Sequence, residues 1–259
     1  MNQPTRPTPT RSDAVPYPAE LYQAVHCGNE GDIRFYRSVC AGAHDVLELG
    51  CGWGRVAGPI AADGRRVTGV DLAAELLERG RASYPAVDFV QADMRTVDLG
   101  RRFDRVLIPY NSLYCLLDES DVVATFRRAR AHLRPGAWLI FDAYAADSFH
   151  RESDARQEWD EAAFVKTVRA AGRTWDVYER SRWVREQQRI EAVYTHVARD
   201  DAVAVTSTIP QRYLLREQLP RLLAEAALRL VEIRGGFHGE PLESDSPLLV
   251  VKAQPTAAA

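Results

Sequence analysis

Residues 46–56 read VLELGCGWGRV, an apolar run that passes straight into three glycines at alternate positions, Gly50, Gly52 and Gly54. Glycine has no Cβ, so a chain with three of them in five positions presents bare main chain, and a ligand can approach it closely. Between a buried strand and a helix, such a turn also aims unpaired N–H groups at electron-rich partners. The spacing is G-x-G-x-G; the dinucleotide fingerprint G-x-G-x-x-G would need its third glycine where Arg55 stands, and no phosphate-cradling G-x-x-x-x-G-K run is present. Taken alone, the three glycines would also suit a plain tight turn.

The flanking pattern decides the fold class. From Asp45 to Tyr144 short apolar runs (DVLELG, RRVTGVD, VDFVQAD, FDRVLIPYN, AWLIFDAY) alternate with stretches such as AELLERGRAS and DVVATFRRARAHL, whose apolar residues recur every three or four positions. That is the pattern of βα units on a parallel sheet, hence a doubly wound α/β fold. RPGA is expected to be the turn that ends the second of these helices. After Tyr144 the segments RTWDVYERSRWV, QRIEAVYTHVA and AVAVTSTIPQRYLL are β-branched and aromatic, which predicts antiparallel strands. Residues 145–216 are therefore expected to be a β-rich insertion after the fifth strand, carried by the same core. A helix at QLPRLLAEAA and strands at LRLVEIRGG and PLLVVKA return to the main sheet, giving one domain over 19–254. The Pro/Thr-rich residues 1–18 and the tail 255–259 carry too little apolar surface to offset ordering entropy and are expected to be disordered.

Composition narrows the partners. A chain of 259 residues with 46% hydrophobic residues can bury a sizeable core, and a net charge of −3 sets up no field that would draw a polyanion. Neither nucleic acid nor a membrane is a favoured partner; a small molecule is. Cys27, Cys40, Cys51 and Cys115 form no Cys-x-x-Cys pair, so no metal site or disulfide framework is signalled. No apolar run reaches the ~18 residues of a membrane span, and a cytoplasmic location is expected.

Two more features fall at expected strand ends. Asp71 closes RRVTGVD, where a carboxylate can accept hydrogen bonds from both hydroxyls of a ribose, and Leu72 beside it can lie against an adenine face. Asp93 and Met94 follow the third strand, placed for an exocyclic amine and the other ring face. Asp71 would also serve as a helix cap, and Asp93 as a surface loop residue.

With VLELGCGWGR, VTGVDL, QADM, FDRVLIPYN and LRPGAWLIFDAY in place, the chain resembles the class I S-adenosylmethionine-dependent methyltransferases over roughly residues 20–253. The resemblance implies a Rossmann-like, seven-stranded, mostly parallel sheet whose last strand is antiparallel. It implies S-adenosylmethionine as cofactor and S-adenosylhomocysteine as product, lying over Gly50, Gly52 and Gly54, with Asp71 on the ribose, Leu72, Asp93 and Met94 at the adenine and Tyr110 at the methionine amino group.

Among subfamilies the chain is most similar to glycine and related small-molecule N-methyltransferases. YNSLYCL carries Asn111 onto their substrate-binding asparagine, Tyr22 in ELYQAV onto an N-terminal tyrosine at the methyl-donor site, and Tyr213 in PQRYLL onto a pocket tyrosine. Two arginines of that pattern are absent: Tyr144 stands where one would grip the glycine carboxylate, and Asp45 where one would bind the cofactor carboxylate. An acceptor other than glycine follows. Tyr110, Tyr114, Tyr144, Tyr178 and Tyr213 would make an aromatic pocket or serve as core; Arg182 and Arg212 would bind an acidic group or lie on a solvated strand face. His26 and His238 are candidates for a general base, with packing as the other reading, and Trp175 and Trp183, eight residues apart, share a buried strand face. The expected catalytic set is Tyr22, Asn111 and Tyr213. The expected substrate set adds His26, Tyr114, Tyr144, Tyr178 and Arg182. N-methylation of a small-molecule amine is favoured over O-methylation of a phenol or carboxylate, and over a silent cofactor-binding protein.

Overall fold

The computed structural model describes residues 16–201 and 203–256. In chain order the helices are α1 (Ala19–Val25), α2 (Asp32–Val39), α3 (Ala57–Ala62), α4 (Ala74–Ser83), α5 (Glu119–Ala131), α6 (Asp147–Glu152) and α7 (Leu219–Ala224). The strands are β1 (Asp45–Leu49), β2 (Arg66–Asp71), β3 (Val87–Gln91), β4 (Phe103–Ile108), β5 (Leu133–Tyr144), β6 (Arg156–Gln157), β7 (Ala163–Ala170), β8 (Arg173–Val184), β9 (Arg189–Ala198), β10 (Ala204–Arg212), β11 (Leu228–Arg234) and β12 (Leu248–Pro255). They fall into two compact units: the chain up to His26 with Asp154–Gln211, and Cys27–Ser153 with Arg212 onward.

The second unit holds a seven-stranded sheet in the order β11-β12-β5-β4-β1-β2-β3. β1 to β5 run parallel, and β12 runs antiparallel to both β5 and β11. All five residues of β1 are buried, as a central parallel strand covered on both faces requires. α5 carries Glu119 and Asp121 in its first turn and Arg128 and Arg130 in its last, matching the helix dipole, and buries Val122, Val123, Phe126 and Ala129. Because β1 lies between β2 and β4, the strand order reverses there, and the carboxyl ends of these strands border the crevice where such sheets take ligands.

Three details depart from expectation. RPGA is not a turn: β5 starts at Leu133 and runs through Pro135 and Gly136, with the register against β4 shifting between Phe103 and Arg105. The irregularity accommodates a residue without an N–H and a glycine at φ 74°. The tail is ordered further than expected, since Pro255 pairs with Leu228 and the Thr256 N–H donates to Ala227 O. At the leader, Ser207 Oγ donates to Pro16 O, and Tyr17 Oη lies 2.9 Å from His196 Nε2; residues 1–15 and 257–259 lie outside the described residues.

The first unit is an antiparallel sheet, β10-β9-β8-β6, with β7 also on β8. Leu21 and Val25 of α1 close a core with Val168, Trp175, Val177 and Ala198, so the insertion carries a hydrophobic core of its own, built with the N-terminal helix. β7, AFVKTVRA, is mostly exposed and offers no clean alternation, which is why the sequence pattern does not mark it. Pro210 sits in β10 at the sheet edge, where a missing N–H is tolerated. Among the described residues no helix is long and apolar enough to cross a membrane, and no two cysteines are joined in a disulfide.

The glycines of the first crossover divide by task. A Cβ on Gly54 (φ 81°) would lie 2.6 Å from the Phe89 ring, so this glycine lets β3 and the loop pack; a Cβ on Gly52 (φ 53°) meets nothing nearer than Leu76 at 3.8 Å. Gly54→Ala adds overpacking to left-handed strain and is expected to lower the thermal midpoint by about 5–15 °C, against about 2–8 °C for Gly52→Ala. Calorimetric scans giving equal shifts would refute this division.

Candidate functional site

Within the second unit the carboxyl ends of β1 to β5 bring together most of the residues singled out above. Gly50 and Gly52 are half-exposed with left-handed backbones, and a Cβ on Gly50 would lie 2.8 Å from Ser112, so the loop after β4 presses directly on the glycine loop. Asp71 ties this loop to the end of β2: Oδ2 accepts the Gly52 N–H at 2.7 Å and Oδ1 the Ala73 N–H at 2.9 Å. A carboxylate offers about four acceptor positions, so two remain for a ribose diol. Asp71 is not the cap of α4; that position is Ala73, and the bond to its N–H is an Asx-type turn. Leu72 is 43% exposed, an apolar side chain standing in the open beside that carboxylate.

Beneath the loop lies a buried charge cluster that sequence reasoning missed. Arg55 makes a bidentate ion pair with Asp32, at 3.0 and 2.7 Å, and lies over the Tyr110 ring. Its guanidinium sits against Gly28, where a Cβ would overlap it. Glu48 and Asp142 are 3% and 1% exposed. Asp142 Oδ1 accepts Tyr36 Oη at 2.6 Å and the Tyr110 N–H at 2.9 Å, and one Glu48 oxygen accepts from Ala57 N–H. Their other oxygens, Glu48 Oε2 and Asp142 Oδ2, have no hydrogen-bond partner among the described residues. Three carboxylates thus face one guanidinium. Burial, only partly offset by Arg55, pushes Glu48 up to about 8; burial pushes Asp142 to about 6 despite the bonds from Tyr36 and Tyr110. Two orphaned carboxylate oxygens, an apolar shelf at Leu72 and a carboxylate with spare acceptors suit a nucleoside carrying a cationic side chain. A charged residue inside the apolar runs DVLELG and AWLIFDAY was a legible signal for Glu48 and Asp142; Asp32, Tyr36 and Arg55 had none, since only the fold gathers them.

The remaining expected residues meet mixed outcomes. Asp93 is gripped by Arg95 through Nε and Nη2, and Arg95 reaches on to Asp121 at 2.7 Å, so its carboxylate is buttressed from one side; Met94 beside it is half-buried. Tyr110 and Asn111 are consecutive residues with positive φ, 53° and 61°. Asn111 Oδ1 accepts the Tyr144 N–H at 2.6 Å, which fixes the orientation of the amide. Tyr114 and Tyr213 are corrections: both are 0% exposed and border no open space. Tyr114 Oη donates to Tyr144 O and Leu214 O, and Tyr213 Oη lies 2.9 Å from His150 Nδ1. Tyr144 stacks edge-on against Tyr114 and stays half-buried, and Arg212 pairs with Glu119. Asp45 lies at the amino end of β1, paired with Arg66 and Arg134, so it is not a counterpart of a cofactor-binding arginine. His238 is exposed beside Glu240.

In the first unit the expected set is divided by the pleat. Tyr22 and His26 pack with Tyr17, and His26 with Tyr194, on the face that carries Trp175 and Val177. Tyr178 and Arg182 point to the opposite face, where Tyr178 meets Phe164 while Arg182 pairs with Glu191 and lies over Trp159. Burial, with Lys166 and His196 nearby, lowers His26 to about 4, so it stands neutral and is a weak proton acceptor at neutral pH. Among the described residues no group of His, Cys, Asp or Glu side chains is arranged to hold a metal ion.

Comparison with known proteins points to methyltransferases. A family model described as a methyltransferase domain matches residues 46–136. The chain is 26% identical, over 88% of its length and 90% of the relative's, to the dTDP-3-amino-3,6-dideoxy-alpha-D-glucopyranose N,N-dimethyltransferase of Streptomyces fradiae. Matches to two proteins named as methyltransferases, from Geobacillus sp. (strain WCH70) and Bacillus subtilis (strain 168), reach 37% and 35% identity, but the chain spans only 44% and 42% of their length. Among solved structures, the CcbJ methyltransferase from Streptomyces caelestis superposes with a TM-score of 0.75 at 26% identity, covering 88% of this chain and 97% of that one. An S-adenosylmethionine-dependent methyltransferase from Clostridium acetobutylicum ATCC 824 reaches 0.77 at 15% identity, covering 91% and 96%, a likeness of fold.

The buried carboxyls make stability depend on pH with a definite sign. Both folded-state values are raised, so folding favours the protonated forms; their contribution is complete below about pH 4 and drains as pH rises through about 6 and then 8. The thermal midpoint of the ligand-free protein should fall between about pH 5 and about pH 9, and Glu48→Gln should flatten the upper part of that fall. Parallel profiles for the two proteins would show that Glu48 does not titrate in this range.

Proposed function

We propose that this chain, a member of the class I S-adenosylmethionine-dependent methyltransferases, methylates the amine nitrogen of a small molecule, with amino sugars as the acceptor class. The observation that carries the cofactor reading is the ordered placement at consecutive strand ends: the glycine loop tied to Asp71, the exposed Leu72, and the buried acidic cluster with two orphaned oxygens. The acceptor reading is supported by the Streptomyces fradiae relative, whose name is that of an amino-sugar N,N-dimethyltransferase and whose match runs nearly end to end.

Bound S-adenosylmethionine would supply a methyl group already activated on a sulfonium. In this reading Asp71 accepts the ribose hydroxyls, Leu72 and Met94 flank the adenine, and Asp93, steadied by Arg95, faces its amine. The orphaned oxygens of Glu48 and Asp142 give a cationic amino group a compensating field, while the Gly50–Gly54 main chain allows close approach. Displacement at an activated methyl needs alignment and exclusion of water more than it needs a strong base. Asn111 is assigned to orienting the acceptor, and in the first unit Tyr22 stays the candidate named by the family pattern, beside a neutral His26.

A labelled-methyl assay on panels of amino sugars, free and nucleotide-linked, other amines and phenols should give transfer to amines first; transfer confined to phenols would overturn the acceptor reading. Asp71→Ala removes two hydrogen bonds from a charged acceptor, each worth about 1.5–3 kcal/mol. Titration calorimetry should then show cofactor affinity lower by at least about tenfold. Unchanged affinity would take Asp71 out of the site.

A further inference from the structure

The two left-handed residues after β4 are expensive for side chains that carry a Cβ, and tight turns normally use glycine there. Here Tyr110 and Asn111 adopt them in succession, so something must hold the strain. β5 supplies it. Asp142 Oδ1 accepts the Tyr110 N–H at 2.9 Å, the Asp142 carbonyl accepts the Asn111 N–H at 3.1 Å, and the Tyr144 N–H closes on Asn111 Oδ1 at 2.6 Å. Tyr36 Oη, from α2, donates 2.6 Å to the same Asp142 oxygen, and both side chains are almost fully buried. On the far side Ser112 Oγ donates to Pro109 O at 2.7 Å, with Gly50 O 3.3 Å away. Because the Asn111 oxygen is committed to the Tyr144 N–H, its amide nitrogen is the end left to donate elsewhere.

We infer that Asp142 is a positioning residue: its carboxylate, pinned by Tyr36, locks the strained Tyr110–Asn111 turn and so fixes the direction in which Asn111 presents its amide donors to the methyl acceptor. The inference rests on the assignment of Asn111 above and adds the device that sets its geometry. A buried charge is a costly way to close a turn that a glycine would close without strain, and strain of this kind is kept where a functional group must be held in one orientation. Through Ser112 and Gly50 the same turn abuts the glycine loop, so acceptor-side and cofactor-side backbone share one anchor.

The test separates positioning from folding. Because Asp142 Oδ2 also faces the cationic amino group in the cofactor reading, Asp142→Ala is assayed at saturating cofactor, where kcat should still fall by about 30-fold or more, since a small misplacement of an orienting group acts on the chemical step. Asp142→Asn keeps an acceptor for Tyr110 and Tyr36 and should recover most of the loss. In a double-mutant cycle, Asn111→Ala combined with Asp142→Ala should be little worse than Asn111→Ala alone. Multiplying losses, or an Asp142→Ala enzyme with unaltered kcat, would overturn the inference. Should Asp142→Ala not fold, Tyr36→Phe takes its place, with a smaller loss of kcat expected and an unaltered kcat counting against the inference. If the wild type methylates no amine, the proposed function fails by itself. The lock is then judged from the carbon chemical shifts of Tyr110 and Asn111 in Tyr36→Phe, where departure from left-handed values supports it and unchanged values refute it.

Discussion

The bond from the Gly52 N–H to the Asp71 carboxylate, 2.7 Å long, joins the ends of two neighbouring strands into one surface. Backbone bonds from the Gly50 and Cys51 N–H groups to Val70 O pin the start of the crossover to β2, and the Asp71 bond extends that tie to Gly52. With it, the bare main chain of the loop stands at a fixed distance from a carboxylate that still has acceptors to offer. The packing around it follows suit: Phe89 occupies the space beside Gly54, and Ser112 the space beside Gly50, so both β3 and the turn after β4 are brought against the same few residues.

Below that surface the protein tolerates an electrostatic imbalance. Asp32, Glu48 and Asp142 surround one guanidinium, and two of their oxygens are orphaned in a nearly dry interior. Buried carboxylates without a partner are destabilising unless they take up protons or receive a cation. The raised Glu48 and Asp142 carboxyls are the first of these solutions, and a ligand carrying positive charge is the second.

The first unit shows how strand parity overrules residue type. Tyr178 and Arg182 are polar-aromatic residues of the kind expected near a substrate, yet they lie an odd number of positions from Trp175, which is buried against α1. Period-two alternation then sends them to the other face, away from Tyr22 and His26. This division could be read from the spacing once Trp175 was recognised as core. The burial of Tyr114 and Tyr213 could not: each hydroxyl is satisfied by groups distant in sequence, Tyr144 O for the first and His150 for the second.

Local pattern was enough to determine the parallel sheet and its helices, the glycine loop, and the placing of Asp71, Leu72, Asp93 and Met94 at strand ends, because each depends on periodicity or on a residue's own backbone preference. Only the tertiary structure decided that Arg55 pairs with Asp32, that Arg95 reaches across to Asp121, that Asp45 belongs to the opposite end of the sheet, and that Asp142 with Tyr36 locks the turn at Asn111. The physical reason is range: such contacts join residues from about twenty to more than a hundred positions apart. Their strength comes from burial, which no single stretch of chain carries in itself.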